Sequence, residues 1–120
     1  MNFLPVDSVL ADARVLAERL LPKGLWEIQE ASSLRLKARI VLSQEAFVSL
    51  FYAPRTRRLD LSLIVSGRRT FGIDNLGGWH CHPTSNPAHH NPTNEPSLSE
   101  IFSEMGKALA EQHLERRGQP

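Results

Sequence analysis

The chain has 120 residues with a formal net charge of +1, and its composition of 41% hydrophobic and 22% charged residues is that of a folded rather than a disordered protein. This length predicts a single domain spanning residues 1–120. No apolar run approaches the ~20 residues that cross a bilayer, no signal peptide is recognisable at the N-terminus, and the lone cysteine cannot form an internal disulfide. These features predict a cytoplasmic protein that does not associate with membranes.

The first predicted element is an amphipathic helix. Its apolar residues recur at three- and four-residue steps between Val6 and Leu20, and Pro22 with Gly24 ends it. Residues 34–42 alternate between apolar and basic side chains, which predicts a strand with one apolar and one basic face. Strands are predicted, in chain order, at residues 25–32 (a weaker edge strand), 34–42, 46–53, 59–66 and 68–74.

The last part of the chain predicts a loop followed by a helix. Residues 82–96 are rich in proline and asparagine and predict a loop, and Ser97 with Glu100 forms a capping box that opens a second helix. Two helices covering one face of a sheet is an economical arrangement for this order of elements. The sequence therefore predicts an α+β fold, an antiparallel meander of four to five strands flanked by an N-terminal and a C-terminal helix.

A histidine-rich segment is the candidate site. Four of the five histidines lie within eleven residues, together with Cys81, and they are His80, His82, His89 and His90. Imidazoles change charge near neutral pH and bind metals. Because His80 and His82 are two residues apart, extended backbone would place them on the same face.

Three interpretations of these histidines stay open. In the metal-free one, His80, His82 and His89 perform acid–base catalysis and Asp74 orients an imidazole through its ring N–H. In the metal alternative, His80, His82 and His90 hold zinc or another divalent transition metal and leave one position for water. In the structural one, the imidazoles bind loop carbonyl groups and pack on proline rings. The sequence by itself requires no cofactor.

The residues around the histidines also have both structural and functional interpretations. Asp74 and Asn75 are a strong turn pair and would fix the approach to the Gly77–Gly78 turn. Trp79 is either a core residue or a platform on which a nucleic-acid base stacks. Cys81 would point away from its two histidine neighbours, which favours a small buried residue over a nucleophile.

A basic block precedes the histidine segment. Residues 35–69 contain only two acidic residues, Glu45 and Asp60, against eight basic ones: Arg35, Lys37, Arg39, Arg55, Arg57, Arg58, Arg68 and Arg69. Such a surface suits a phosphate backbone or an acidic protein segment, although basic side chains also protect a sheet from aggregation. We predict that these residues and Trp79 bind nucleic acid.

The end of the meander resembles the TumE-like family of prokaryotic toxin–antitoxin toxins. The matching residues are Asp74–Asn75, Trp79–His80, His82–Pro83 and His89, and the similarity spans about residues 40–105. Gly72–Ile73 stand where the commoner pattern has Arg-Tyr, so no arginine role is carried over at that point. The resemblance implies a small toxin that acts on RNA, if an enzyme then most simply a ribonuclease, with a helix-turn-helix antitoxin as its partner.

The same segment also resembles a metalloprotease motif. GWHCHP, residues 78–83, is similar to the zinc-binding strand end of the JAMM family, but His90 and Thr93 occupy the positions of that family's serine and third ligand. Two further functions therefore stay open beside the ribonuclease. One is a metal-dependent hydrolase that uses the same histidines, and the other is a non-catalytic module whose basic sheet binds an acidic protein.

Overall fold

The structure is a computed structural model that describes residues 4–82, 91–92 and 94–117. Its elements, in chain order, are α1 (Val6–Leu20), β1 (Leu25–Ala31), β2 (Leu36–Val41), β3 (Ala46–Ala53), β4 (Arg58–Val65), β5 (Arg68–Asp74), β6 (His80–His82), β7 (Asn91–Pro92) and α2 (Leu98–Arg117). Each strand pairs antiparallel with the next, from β1 to β7. The predicted α+β class, with an antiparallel meander between two helices, is confirmed.

The sheet contains two short strands that the sequence did not predict. β6 pairs with the end of β5, and β7 pairs with β6. β6 has three residues and β7 has two, which are too few to show the alternation of apolar and polar residues that predicts a strand. These strands are recognised only by their pairing with the preceding strand. The predicted loop over residues 82–96 is therefore wrong for Asn91 and Pro92, which pair with Cys81 and His80.

Both helices pack on one face of the sheet, which we call the inner face. The Tyr52 hydroxyl on β3 donates a hydrogen bond of 2.6 Å to the carbonyl oxygen of Leu4, just before α1. The Arg14 guanidinium on α1 lies 5.3 Å from the ring centroid of Trp26 on β1. The inner face of the four central strands is buried through every second residue, namely Leu36, Ala38, Ile40, Ala46, Val48, Leu50, Tyr52, Leu59, Leu61, Leu63, Val65, Phe71 and Ile73.

The second helix begins at the predicted capping box and packs closely against the first. The Glu100 N–H donates to Ser97 Oγ at 3.1 Å, and the Ser97 N–H donates to Glu100 Oε1 at 3.3 Å. A Cβ atom at Gly106 would lie only 2.6 Å from the carbonyl oxygen of Leu20. Glycine at this position therefore allows α2 to approach the end of α1. Within the described residues, no helix is long and apolar enough to cross a bilayer.

Candidate functional site

The face of the sheet opposite the helices, which we call the outer face, carries three rows of paired residues. Directly opposite residues of antiparallel strands lie on the same face, so the strand register defines these rows. The first row is Glu30, Lys37, Phe51, Asp60, Asp74 and His80. The second row is Glu27, Arg39, Ser49, Ser62 and Gly72, and the backbone of Gly72 is paired with that of His82. The third row is Leu25, Val41, Phe47, Ile64 and Arg69.

Two phenylalanines on β3 form the aromatic part of the outer face. Phe47 and Phe51 are half-buried, although no helix of the described residues packs on this face. They are four positions apart on one strand, which corresponds to about 13 Å. The Arg39 guanidinium lies 4.8 Å from the ring centroid of Phe47, and Lys37 is paired with Phe51. Each ring thus has a cationic side chain from β2 beside it.

Neither of these two aromatic residues is among the residues predicted from the sequence to bind nucleic acid. The signal was present in residues 46–53, where Phe47 and Phe51 occupy the positions that alternate with the apolar inner-face residues. Trp79, the aromatic residue predicted to bind nucleic acid, is half-buried and packs against the hydrophobic core, which fits its packing interpretation.

The structure distributes the predicted basic residues over four places. Lys37 and Arg39 are exposed on the outer face, as their alternation predicts. Arg35 precedes β2, and its Nε lies 2.9 Å and 3.0 Å from the two carboxylate oxygens of Glu30. Hydrogen bonds from Ser32 and then from Arg35 lower the pKa of Glu30. Glu30 therefore offsets part of the charge of Arg35, whose side chain stays 52% exposed.

The remaining arginines of the block lie at opposite ends of β4. Arg55 and Arg57 are exposed in the β3–β4 turn, and Arg58 is half-buried at the start of β4. Arg68 and Arg69 are exposed at the start of β5, after the turn that follows β4. β4 has eight residues, so the two groups are about 24 Å apart along the strand. The basic block is continuous in the sequence but not on the surface.

The turn between β5 and β6 is built by Asp74 and Asn75. Asp74 Oδ1 accepts a hydrogen bond of 3.1 Å from the Leu76 N–H, which forms a turn of the kind that aspartate favours. The Asn75 side chain reaches back to the start of β4. Its Oδ1 accepts a hydrogen bond of 2.9 Å from the Leu59 N–H, and its Nδ2 donates to the carbonyl oxygen of Arg57. Asn75 thus connects two turns that are distant in sequence.

We expect Asn75→Ala to lower the free energy of unfolding by about 1–3 kcal/mol, because it leaves two backbone groups without their hydrogen-bond partner. Urea unfolding followed by circular dichroism measures the loss. Asn94→Ala is the matched control, since Asn94 is exposed outside any helix or strand, and it should change stability by less than about 0.5 kcal/mol. Equal losses in the two variants would contradict the connecting role of Asn75.

His80 lies beside Asp74 on the outer face. The two residues are directly paired, which brings their Cβ atoms to about 4.5–5.5 Å, and His80 is half-buried. His80 Nδ1 is buried, and Nε2 would lie 3.8 Å from a Cβ atom at Gly78. The imidazole therefore lies over the glycine turn. A paired carboxylate and imidazole can act together, because the carboxylate can orient the ring and stabilise its protonated form.

The other predicted histidines are only partly accounted for. His82 pairs with Gly72, two positions from His80, while His89 and His90 lie outside the described residues. In the part of the chain that the structure describes, no three histidine, cysteine, aspartate or glutamate side chains are grouped so that they could hold a metal ion. The metal alternative of His80, His82 and His90 therefore stays a prediction.

Cys81 has a packing role. It pairs with Ile73, whose side chain is buried on the inner face, and it packs against the hydrophobic core. Burial, with a smaller contribution from the Glu104 carboxylate, raises the pKa of the Cys81 thiol. The thiol is therefore protonated at neutral pH, which is unfavourable for a nucleophile. This environment agrees with the interpretation of Cys81 as a small buried residue.

No protein-family model, no curated protein and no solved structure matches the chain. The resemblance to the TumE-like family therefore stays a prediction that depends on its motif residues.

Proposed function

We propose that the chain is a small cytoplasmic toxin-like protein of a toxin–antitoxin module, which binds single-stranded RNA on the outer face and cleaves it with histidines. The observation that supports this most directly is the content of the first row. On a face that no described helix covers, five paired residues bring together a cationic side chain, an aromatic ring, two carboxylates and an imidazole: Lys37, Phe51, Asp60, Asp74 and His80.

Binding depends on two contributions that a sheet face can combine. Phe51 offers a ring on which a base can stack, the Arg39 guanidinium over the Phe47 ring offers a second planar surface, and each stacked base contributes about 1–3 kcal/mol. Lys37 and Arg39 offer positive charge to the phosphates between those bases. Stacking on a protein ring requires unpaired bases, so single-stranded RNA is the substrate class that fits.

Cleavage uses the 2′-hydroxyl of the RNA as the nucleophile. One imidazole removes the 2′-hydroxyl proton while the 2′-oxygen bonds to phosphorus, and a second imidazole gives a proton to the departing 5′-oxygen. The products are a 2′,3′-cyclic phosphate and a 5′-hydroxyl. His80 beside Asp74 is one of the two imidazoles, and His82 or His89 is the other. This route requires no cofactor.

The partner implied by the family resemblance is a helix-turn-helix antitoxin. Such a protein would neutralise the toxin by covering the outer face, and an acidic segment would suit Lys37 and Arg39. The antitoxin and the RNA would then compete for the same surface.

The proposed binding face is tested with the double variant Lys37→Ala, Arg39→Ala. Binding of a labelled single-stranded RNA should weaken, and the slope of log affinity against log salt should fall by about 1.4, because two phosphate contacts are lost. Fluorescence anisotropy at several salt concentrations measures both quantities.

The control for that experiment is Arg19→Ala, Lys23→Ala, which removes the same charge from exposed residues at and just after the end of α1. It should leave the salt dependence close to that of the unmodified protein. Equal weakening in both double variants, or no RNA binding at low salt, would contradict the proposed face.

A further inference from the structure

We infer that the outer face selects a guanine base, which stacks on Phe51 and is read by the carboxylate of Asp60. This inference depends on the proposed RNA binding. Phe51 and Asp60 are directly paired on β3 and β4, so their Cβ atoms are about 4.5–5.5 Å apart on the same face. Both residues are half-buried. A base lying on the Phe51 ring therefore presents one of its edges to the Asp60 carboxylate.

The environment of Phe51 is different on its two sides. Lys37 is paired with Phe51 from β2, and Asp60 is paired with it from β4. Asp60 is itself paired with Asp74, so negative charge increases from the ring towards β5. The phosphate of a nucleotide stacked on Phe51 is attracted to Lys37 and repelled by Asp60, so the phosphate on which His80 acts belongs to a different nucleotide of the strand. A nucleotide on Phe51 is thereby oriented with its phosphate towards β2 and its base edge towards β4.

The Asp60 carboxylate is held in place by a hydrogen bond from Ser62 on the same strand. The Ser62 hydroxyl donates a hydrogen bond of 3.2 Å to Asp60 Oδ1, and Ser62 is itself buried on the outer face, at 5% exposure. An ionised carboxylate only accepts hydrogen bonds and has about four acceptor positions. One is used by Ser62, so both oxygens keep the capacity to accept from a ligand.

Guanine is the base whose edge fits an acceptor with two oxygens. Its Watson–Crick edge carries two neighbouring donors, N1–H and the N2 amino group, which can donate to the two oxygens in parallel. Adenine and cytosine carry one amino group next to an acceptor nitrogen, and uracil carries one N–H between two carbonyl groups. Two hydrogen bonds to a charged acceptor are also stronger than neutral ones.

The inference is tested with the full chain and labelled RNA pentamers at low salt, in which the central nucleoside of a uridine pentamer is guanosine, inosine, adenosine or uridine. Affinity should be highest for guanine, by about tenfold over uracil, since a good bidentate contact discriminates by about 1–3 kcal/mol. Inosine lacks the N2 amino group and should bind with intermediate affinity. Asp60→Asn should remove the guanine preference, while binding of the all-uridine pentamer stays equal or improves, because negative charge is lost.

Asp12→Asn is the matched control, since it removes the same charge from an exposed residue of α1 and should keep the guanine preference. Equal affinity for all four pentamers, or a guanine preference that survives Asp60→Asn, would overturn the inference and leave RNA binding intact. Absence of binding to every pentamer would overturn the proposed function together with the inference.

Discussion

Replacing His80 with glutamine should slow the cleavage of single-stranded RNA by about 10²–10⁴-fold, the range that a general acid or base contributes. Glutamine keeps a polar side chain of similar reach, but it does not take up or release a proton near neutral pH. Because His80 is only half-buried and lies on the short strand β6, the fold should tolerate the change. Single-turnover cleavage measured under conditions in which all the RNA is bound separates this loss from any change in affinity.

The control for His80 is His113→Gln, the same chemical change on α2, the helix that packs against the inner face. It should leave the cleavage rate unchanged. In cells, the unmodified chain expressed without an antitoxin should slow growth, and His80→Gln at matched protein levels should not. If His80→Gln cleaves RNA at the rate of the unmodified chain, His80 has no part in the chemistry.

Leu61→Ala should lower the free energy of unfolding by about 2–5 kcal/mol, because it leaves a cavity in a closely packed interior. Leu61 is fully buried on β4, where it is paired with Leu50 and Ile73, both of which are also buried. A domain of this kind has about 5–15 kcal/mol of stability in total, so the variant would lose a large part of it. Urea unfolding should show a lower midpoint with an unchanged slope.

Leu76→Ala is the control for this experiment, since Leu76 lies in the β5–β6 turn and is 64% exposed. It removes the same atoms and should change stability by no more than about 0.5 kcal/mol. A comparable loss in the two variants would contradict the position of Leu61 in the core. Leu61→Ala also shows how reduced abundance alone affects growth, which distinguishes a folding defect from the catalytic defect of His80→Gln.

The sequence alone determined the elements whose periodicity is local. α1 was predicted from apolar spacing between Val6 and Leu20, and the structure has it between the same residues. The alternation of residues 34–42 correctly separated the buried Leu36 from the exposed Lys37. The capping box of Ser97 and Glu100 marked the start of α2, because its two hydrogen bonds join residues only three apart.

The position of the candidate site could not be predicted from local periodicity, because it depends on which residues face each other across strands. The pairing of Asp74 with His80 and of Phe51 with Asp60 is set by register, and a shift of one residue would move every side chain to the other face. Composition does not show strand register, so the sequence predicted nucleic-acid binding by Trp79 and not by Phe51 or Asp60.

The charge pattern shows the same distinction between sequence and tertiary structure. The block of residues 35–69 was predicted as one basic surface, but β1 places Glu27 beside Arg39 and Glu30 beside Lys37 and Arg35. The two arginine-containing turns lie at opposite ends of β4. Electrostatic interactions depend on distance in space and not on separation along the chain. The sequence alone determined which side chains alternate on each strand, and only the sheet decided which charges became neighbours.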